Sequence, residues 1–338
     1  MHNAVHQYID RATGDVVSEQ FYSDRVVQFV YGTARERAPA LYRALTSARM
    51  SGVLGWLNYD SFLGARLTGS RRFVQRMGIS LDECVEPADV LDTPRKIFER
   101  QIRWWECRPT SPDLHAVVSP ADSRVVCGPL PAMPDGFVLK EKFFSVDELV
   151  GDRGAPWLRR LRHGDFAICR LTPEKYHYVH TPVAGVVLDI YELPGRHHAC
   201  NPAAVVAVAT PNSKNARLVT VIDTDVPGGT QVGVVVMVEI VALMIGRIVP
   251  RYSDTEYGNP RPIAAGNFIW RGVPKSLFQP GSSTVVLLFE PGRVCFAGDL
   301  IANRAHPSAQ SRYSLRFGEP LVETDVAVRS LLAHGAQL

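Results

Sequence analysis

The chain has 338 residues, of which 46% are apolar and 21% charged, and its formal net charge is +3 at pH 7. This composition excludes disordered, collagen-like and coiled-coil proteins, and it supplies enough apolar residues to bury a sizeable core. The net charge is too small to indicate nucleic-acid binding, so no nucleic acid is expected as a partner.

The N-terminal segment does not resemble a targeting sequence. The first 20 residues include acidic and polar side chains where a signal peptide requires an apolar run. The six cysteines form no CxxC pair, which is typical of proteins in a reducing compartment. We therefore expect no signal peptide, and a protein that is cytoplasmic or peripheral on the cytoplasmic face of the membrane.

Residues 1–107 are predicted to be a mainly helical region. Apolar residues fall near one face of a helix at Leu41, Leu45, Val53, Leu54 and Leu57. A second helical stretch begins at Thr93, a residue type that caps helix N-termini, and Pro94 follows at the first helical position.

Part of this region is strongly basic. Residues 31–80 have a local charge of +6, because eight arginines face only Glu36 and Asp60. The arginines are Arg35, Arg37, Arg43, Arg49, Arg66, Arg71, Arg72 and Arg76. A basic helix with an apolar face is typical of segments that bind an anionic membrane surface. A solvated basic face packed on its own domain is the alternative.

From Arg108 onward the sequence changes to short Val-rich runs separated by Gly, Pro, Asn and Asp. These runs are HAVV, RVVCG, DFAICRL, AGVVLDIYEL, AVVAVATP, RLVTVIDT, VGVVVMVEIVALMI and STVVLLFE. Such a pattern predicts strands and turns. We therefore predict one β-rich domain over residues 108–338 that carries the chemistry.

The run from Val232 to Ile245 is the most apolar of the chain. Glu239 lies in its middle, where a carboxylate on a membrane-spanning helix would cost about 2.5–3.5 kcal/mol. The Val and Ile content and the short length favour a pair of buried strands. No transmembrane helix is predicted.

Histidine clusters raise the question of a metal site. His177 and His180 are three residues apart, so on a flat strand their side chains would point to opposite faces. His197, His198 and Cys200 also resemble ligands, but no second cluster completes a zinc-like set, and a surface loop is the simpler interpretation. No metal is predicted.

The segment Gly281–Ser282–Ser283–Thr284 directly precedes the apolar run VVLLFE. Small residues before a strand usually form a turn. They are also what backbone self-cleavage needs, because a hydroxyl must approach the preceding carbonyl in a sterically open peptide. The residues alone leave both readings open.

Five motifs in a fixed order give the chain a resemblance to the phosphatidylserine decarboxylase family. They are SPAD, RLTPxxYHxxHxPxxG, NP, VEIVALMIG and PGSSTVVLLFExGRV, and the N-terminal YIDRATGDVVSE also matches. The resemblance implies an α+β fold with a mainly antiparallel, β-rich catalytic body and amphipathic N-terminal helices. It also implies a pyruvoyl cofactor formed by self-cleavage, and a homodimer.

The family motif at the cut falls on Ser282 and Ser283. The resemblance makes Ser283 the pyruvoyl precursor, with a β chain of residues 1–282 and an α chain of residues 283–338. Many family members have glycine directly before the serine, so a cut between Gly281 and Ser282 stays as the competing assignment.

The resemblance also implies roles for three further residues. Asp122 matches the acidic member of a catalytic triad, and His180 matches the second histidine of YHxxH. Asp122 would orient His180, and His180 would take the proton of Ser283 during cleavage. In turnover, His180 or its neighbour His177 would reprotonate the substrate α-carbon, and His177 could instead contact the substrate phosphate.

Departures from the family pattern bear on the substrate. Ser123 stands where many relatives have Gly, and Lys175 where many have Asp. Val241, Leu243 and Arg247 replace small or hydroxyl residues, which would reshape the pocket if their strands line it. The expected reaction converts phosphatidylserine to phosphatidylethanolamine and CO₂ through a Schiff base. The alternative is the same chemistry on a free L-amino acid, such as an aromatic one.

Overall fold

The computed structural model describes residues 5–21, 31, 38, 42, 47, 78–130, 143–208, 210–242, 247–281 and 283–336. The predicted amphipathic helix over 41–57, the eight arginines of the basic segment and Ser282 lie outside these residues. In the part of the chain that is described, no helix combines the length and the hydropathy needed to cross a bilayer.

The described strands and helices follow one another in this order. The strands are β1 (Gln7–Asp10), β2 (Val16–Ser18), β3 (Ala116–Val118), β4 (Ser123–Pro129), β5 (Asp165–Leu171), β6 (Tyr178–His180), β7 (Gly185–Leu193), β8 (Arg217–Asp223), β9 (Val234–Val241), β10 (Ile248–Pro250), β11 (Phe268–Ile269), β12 (Pro274–Phe278), β13 (Ser283–Phe289), β14 (Val294–Phe296), β15 (Glu323–Val326) and β16 (Leu331–Gly335). The helices are α1 (Pro94–Phe98), α2 (Trp104–Cys107), α3 (Val146–Val150), α4 (Ala155–Leu161), α5 (Pro202–Ala207), α6 (Pro211–Lys214), α7 (Gly298–Arg304) and α8 (Arg312–Phe317). A 3₁₀ turn over Asp152–Gly154 precedes α4.

One large sheet and two small ones organise these strands. The large sheet has ten strands in the order β11-β7-β8-β9-β13-β5-β4-β15-β1-β2. The small sheets are β10-β12-β6 and β14-β16-β3. Among the named strand pairs only β1 and β15 run parallel. The α+β, mainly antiparallel fold predicted for the chain is confirmed.

The large sheet is buried on both faces. Along β13, Val285, Leu287 and Phe289 pack into one apolar cluster, whereas Val286 and Leu288 pack into another. We call these the upper and the lower face. Because both faces are covered, the neighbouring strand β9 is buried at every position and shows no apolar–polar alternation. This explains the continuous apolar run in its sequence.

The small sheet β10-β12-β6 covers part of the upper face. Val179 of β6 and Phe278 of β12 belong to the upper-face cluster. Tyr178 and Leu277, their neighbours along the chain, point to the opposite side and pack with Trp104. Side chains of β6 therefore alternate between the large sheet and a separate aromatic cluster.

Several local predictions are confirmed. Thr93 caps α1 by accepting a hydrogen bond from the Lys96 backbone N–H at 3.2 Å, and Pro94 is the first helical residue. Six of the Val-rich runs form β3, β4, β5, β7, β8 and β13.

Other elements differ from the prediction. The region expected to be mainly helical contains β1 and β2, which extend the edge of the large sheet through the pairing of β1 with β15. The helical stretch after Thr93 is split into α1 and α2. In the described part of the run from Val232 to Ile245 there is a single strand, β9, instead of a pair.

The run AVVAVATP was predicted as a strand and forms helix α5. Asn201 caps the helix by accepting from the Ala203 backbone N–H at 2.8 Å, and Pro202 occupies the first helical position. The cap and the proline satisfy the first turn and outweigh the modest strand preference of the valines.

Candidate active site

Ser283 begins the central strand of the large sheet. It pairs with Leu171 of β5 on one side and with Val241 of β9 on the other. Its side chain is fully buried, and Oγ has no hydrogen-bond partner among the described residues. An unpaired buried hydroxyl is costly, so this serine calls for a functional explanation.

Strand β13 is paired with both neighbours along its whole length. Each of its seven residues has a partner in β5 and another in β9. A chain break directly before Ser283 would leave all of these pairings intact. The 56-residue fragment from Ser283 to Leu338 would thus stay in the sheet after cleavage.

The segment before Ser283 has an unusual backbone. Gly281 has a φ of 150°, a region that only glycine adopts readily. A side chain at this position would strain the approach to the strand. The glycine predicted from the motif is therefore required by the backbone itself.

The two histidines of the YHxxH motif face opposite sides of the small sheet. His180 lies with Tyr176 and Trp104, with ring centroids at 5.7 and 5.4 Å, in the aromatic cluster. Strand alternation puts His177 on the side of Val179, which packs on the upper face of the large sheet. Ser283 has the parity of Val285 and belongs to that same face. The structure therefore brings His177 to the face of Ser283 and holds His180 across the small sheet.

The hydrogen bonds of His180 define its tautomer. Nδ1 lies 3.0 Å from the Gly272 carbonyl oxygen, which can only accept, so Nδ1 carries the proton. Nε2 lies 3.0 Å from the Tyr176 hydroxyl and accepts from it. Burial lowers the pKa of His180 to about 3. The ring is thus a neutral imidazole with its basic nitrogen at Nε2.

His177 is buried without hydrogen bonds of acceptable geometry. Neither ring nitrogen has such a partner among the described residues, and the ring stacks on Phe98 at 3.6 Å between centroids. Burial, and next the nearby Arg100 guanidinium, lower its pKa to about 3. The backbone of Pro173 and Thr172 raises this pKa in part, so these groups lie against the ring. His177 is thus a neutral imidazole on the side of the small sheet that faces the large one.

Asp122 is paired with an arginine. Its carboxylate accepts from Arg108 Nε at 3.1 Å and Nη2 at 2.9 Å, and from the Val328 backbone N–H at 2.8 Å. Burial alone would raise the pKa of Asp122, but the Arg108 guanidinium lowers it below the ordinary value. Asp122 was expected to orient His180, but the Gly272 carbonyl holds His180 Nδ1 in this structure. Asp122 still favours the charged form of both histidines through space.

Asp122 also lines a surface cleft of about 480 Å³. Arg108, Lys175 and Arg11 contribute positive charge to its wall, and Asp10 and Asp325 contribute negative charge. The cations are paired, for example Lys175 with Asp325 at 2.6 Å. The cleft beside Asp122 therefore has a wall of mixed charge.

Three residues that were predicted to lie in a surface loop are buried instead. His197, His198 and Cys200 are buried, not part of a surface loop. The Thr284 hydroxyl donates to Cys200 Sγ at 3.1 Å, and burial raises the pKa of this thiol to about 11. Cys200 thus packs directly behind the residue that follows Ser283, which no local pattern indicated.

A buried ion network lies next to this group. Arg170 of β5 donates to Glu19 and to Glu323, and His6 Nε2 lies 2.8 Å from Glu323. His6, Glu19 and Glu323 bring their ligand-type atoms within 4.8 Å of one another. Arg124 is a second guanidinium at Glu19, at 2.5 Å. The two guanidinium groups supply the positive charge that a metal would otherwise bring, so the cluster is an ion-pair network.

Most of the chain is similar in sequence to known proteins. The sequence model of the phosphatidylserine decarboxylase family matches residues 95–323, which include Asp122, both motif histidines and Ser283. A phosphatidylserine decarboxylase proenzyme from Chlamydia pneumoniae is 29% identical over 297 residues, or 88% of this chain and 91% of the relative. The proenzyme from Chlamydia muridarum is 29% identical over 317 residues, or 93% and 96%. The one from Chlamydia felis is 27% identical over 297 residues, or 88% and 92%.

Proposed function

The chain belongs to the phosphatidylserine decarboxylase family and is a carboxy-lyase, and on this basis we propose that it cuts itself before Ser283 and then converts phosphatidylserine to phosphatidylethanolamine and CO₂. The observation that carries the proposal is the state of Ser283. A fully buried hydroxyl, with no hydrogen-bond partner in the part of the chain that the structure describes, begins the central strand, inside the region that matches the family. The relatives' names favour the lipid over a free amino acid.

The cofactor of this reaction would be a pyruvoyl group made from Ser283. The site suits such a group, because Ser283 is the first residue of a strand that stays paired after the cut. Once formed, the group supplies a ketone that condenses with the substrate amine and withdraws electrons from the bond to CO₂. Burial of the site excludes water from that chemistry.

Self-cleavage needs only groups of the chain and one water molecule. Ser283 Oγ attacks the carbonyl carbon of residue 282 and gives up its proton, and the C–N bond breaks as the nitrogen of residue 283 takes a proton. The resulting ester undergoes β-elimination: residue 283 loses its Cα proton and its Cβ–Oγ bond breaks. Residue 282 leaves as a carboxylate. The remaining enamine becomes an imine, and water converts it to the ketone with release of ammonia.

We assign His180 as the base for this cleavage, with Asp122 as its electrostatic support. Its neutral tautomer supports the assignment, because Nδ1 carries the proton and Nε2 has a lone pair. The Tyr176 hydroxyl occupies that lone pair, and the ring lies on the side of the small sheet opposite Ser283. His180 must therefore exchange this partner and change its side-chain position before it accepts a proton from Ser283. Catalytic hydrogen bonds are often incomplete in resting structures. His177, on the face of Ser283, would return a proton to the substrate carbon during turnover.

The cleavage proposal is tested on denaturing gels and by intact mass. Wild-type protein should yield two fragments, and the smaller should comprise residues 283–338. Ser283→Ala and His180→Ala should stay uncut, whereas His177→Ala should be cut and turn over poorly. A small fragment that begins at Ser282 would move the cut to the competing site. Cleavage of His180→Ala together with an uncut His177→Ala would exchange the roles of the two histidines.

The substrate proposal is tested by CO₂ release. We expect release from phosphatidylserine vesicles and none from a panel of free L-amino acids that includes tryptophan. Release from the amino acids alone would overturn the lipid assignment without touching the cleavage chemistry.

We further propose that the protein binds anionic membranes from the cytoplasmic side and forms a homodimer. The support for membrane binding is the local charge of +6 over residues 31–80, which accompanies an apolar helical pattern. Co-sedimentation should therefore require anionic lipid. Equal recovery in the soluble fraction with and without anionic lipid would contradict it. Light scattering after size exclusion would give the mass of the dimer or refute it.

A further inference from the structure

A charged pair is buried between the large sheet and the small one. Glu239, in the middle of β9, is 0% exposed, and Lys275 of β12 is 3% exposed. The Lys275 ammonium and the Ser276 hydroxyl both donate to the Glu239 carboxylate, one to each oxygen. The other residues of β9 are apolar and buried, so the carboxylate stands alone in its strand.

A β-bulge makes this double contact possible. Consecutive strand residues normally point to opposite faces, so Lys275 and Ser276 could not both reach one carboxylate. The pairing of β12 with β6 shifts between Pro274 and Ser276, which leaves Lys275 as the extra residue. A bulge re-aims side chains in this way and is frequent beside active sites.

The strand register brings Glu239 to Ser283. Ser283 pairs with Val241 and Val285 pairs with Glu239, so all four side chains share the upper face. Glu239 and Ser283 are thus diagonal neighbours, whose Cα atoms lie about 7–8 Å apart in an antiparallel pair. Strand β12, whose Lys275 and Ser276 bind Glu239, pairs with β6, which carries His180. The Phe278 backbone N–H of β12 also donates to the His177 carbonyl oxygen at 3.1 Å.

Stability alone does not account for this pair. Two charges lose their hydration when they are buried, and an apolar pair of similar size often serves stability equally well. In some proteins a buried ion pair is retained because it fixes the geometry between the two elements it joins. Here those elements are the strand beside Ser283 and the sheet that carries both histidines.

We propose that Glu239, clamped by Lys275 and Ser276, is a positioning residue that sets the distance between the histidine-bearing small sheet and Ser283 for self-cleavage. This inference rests on the self-cleavage proposed above. Glu239 acts through the sheets it joins and does not itself exchange a proton with Ser283.

The test uses a variant that keeps the fold and loses the clamp. Glu239→Leu combined with Lys275→Met replaces the ion pair by apolar side chains, so its melting temperature should stay near that of the wild type. Its first-order rate of self-cleavage should nevertheless fall about tenfold, equivalent to about 1.4 kcal/mol. Ser276→Ala removes one hydrogen bond only and should slow cleavage severalfold. Glu239→Gln keeps an acceptor for Ser276 and should be cut faster than the double variant.

A control on the opposite face separates positioning from general stability. Val238→Ala creates a cavity on the lower face next to Glu239, so it should lower the melting temperature and leave the rate of cleavage within about twofold. Wild-type rates in both the double variant and Ser276→Ala would overturn the positioning role. A Val238→Ala variant whose rate of self-cleavage falls in proportion to its loss of stability would also overturn the positioning role. A wild-type chain that never cuts would instead refute the proposed function.

Discussion

Replacing the buried Arg170 by methionine should destabilise the fold strongly. The guanidinium makes four hydrogen bonds of 2.5–3.0 Å, two to Glu19 and two to Glu323. These bonds tie the N-terminal segment and β15 to β5 in the middle of the sheet. Methionine fills much of the space but leaves two buried carboxylates short of positive charge.

The size of the loss follows from what stays behind. Four charge-assisted hydrogen bonds at about 1.5–3 kcal/mol each would overstate it, because Arg124 still faces Glu19 and His6 still faces Glu323. Removal of one partner from a buried ion pair costs about 3–5 kcal/mol. That is a large share of the roughly 5–15 kcal/mol by which domains are stable.

The loss should also depend on pH. In the wild type, burial would raise the pKa of Glu323, but Arg170 holds it well below its ordinary value. The resulting stabilisation is present above the unfolded pKa of about 4.3 and is lost as the pH falls. Without Arg170, burial dominates and raises the pKa of Glu323 in the folded protein. Stability is then lost as the pH increases above the unfolded pKa of about 4.3. The variant should therefore lose less at pH 5 than at pH 7.

Urea denaturation of the uncut Ser283→Ala protein would measure this, because a cleaved enzyme does not unfold as a single chain. Arg153→Met is the matched control, since Arg153 makes a similar bidentate pair with Asp189 at the surface, and it should change stability little. A loss below about 1 kcal/mol for Arg170→Met, or an equal loss at both pH values, would refute the reasoning.

Two further predictions concern single residues in the same uncut background. Asn201→Ala should cost about 1 kcal/mol in urea denaturation because it removes the cap of α5, whereas Asn201→Ser keeps the cap; equal losses would contradict the capping role. His177 has a folded pKa of about 3, below its ordinary value of about 6.5, so the unfolded chain takes up a proton that the folded one does not. Its share of stability is full above pH 6.5 and is lost as the pH falls towards 3. His177→Phe should therefore show a shallower loss in acid, and an unchanged slope would show that His177 is not buried as a neutral ring.

Local pattern was sufficient for much of the fold and for the candidate residues. Short β-branched runs between turn residues predicted β3, β4, β5, β7, β8, β9 and β13, since such runs fit a pleated and buried surface. The helix cap at Thr93 could be predicted because it depends on residues only a few positions apart in the sequence. The order of motifs indicated the family and put Ser283 at a strand entry, where the structure has it.

The tertiary structure decided what depends on distant partners. Residues 7–18 became strands because β15, more than 300 positions away, offers an edge to pair with. Asp122 and His180 found Arg108 and Gly272 as partners, which no spacing between them could reveal. The faces of His177 and His180 followed from how the small sheet packs on the large one.

For Glu239, too, the sequence predicted one property and only the tertiary structure showed the other. From the sequence, a carboxylate in an apolar run indicated only that the run does not span a membrane. Lys275 and Ser276 became its partners through a bulge and a contact between two sheets. Periodicity along the chain reports which side of an element is buried, but what it is buried against is decided by pairing in space.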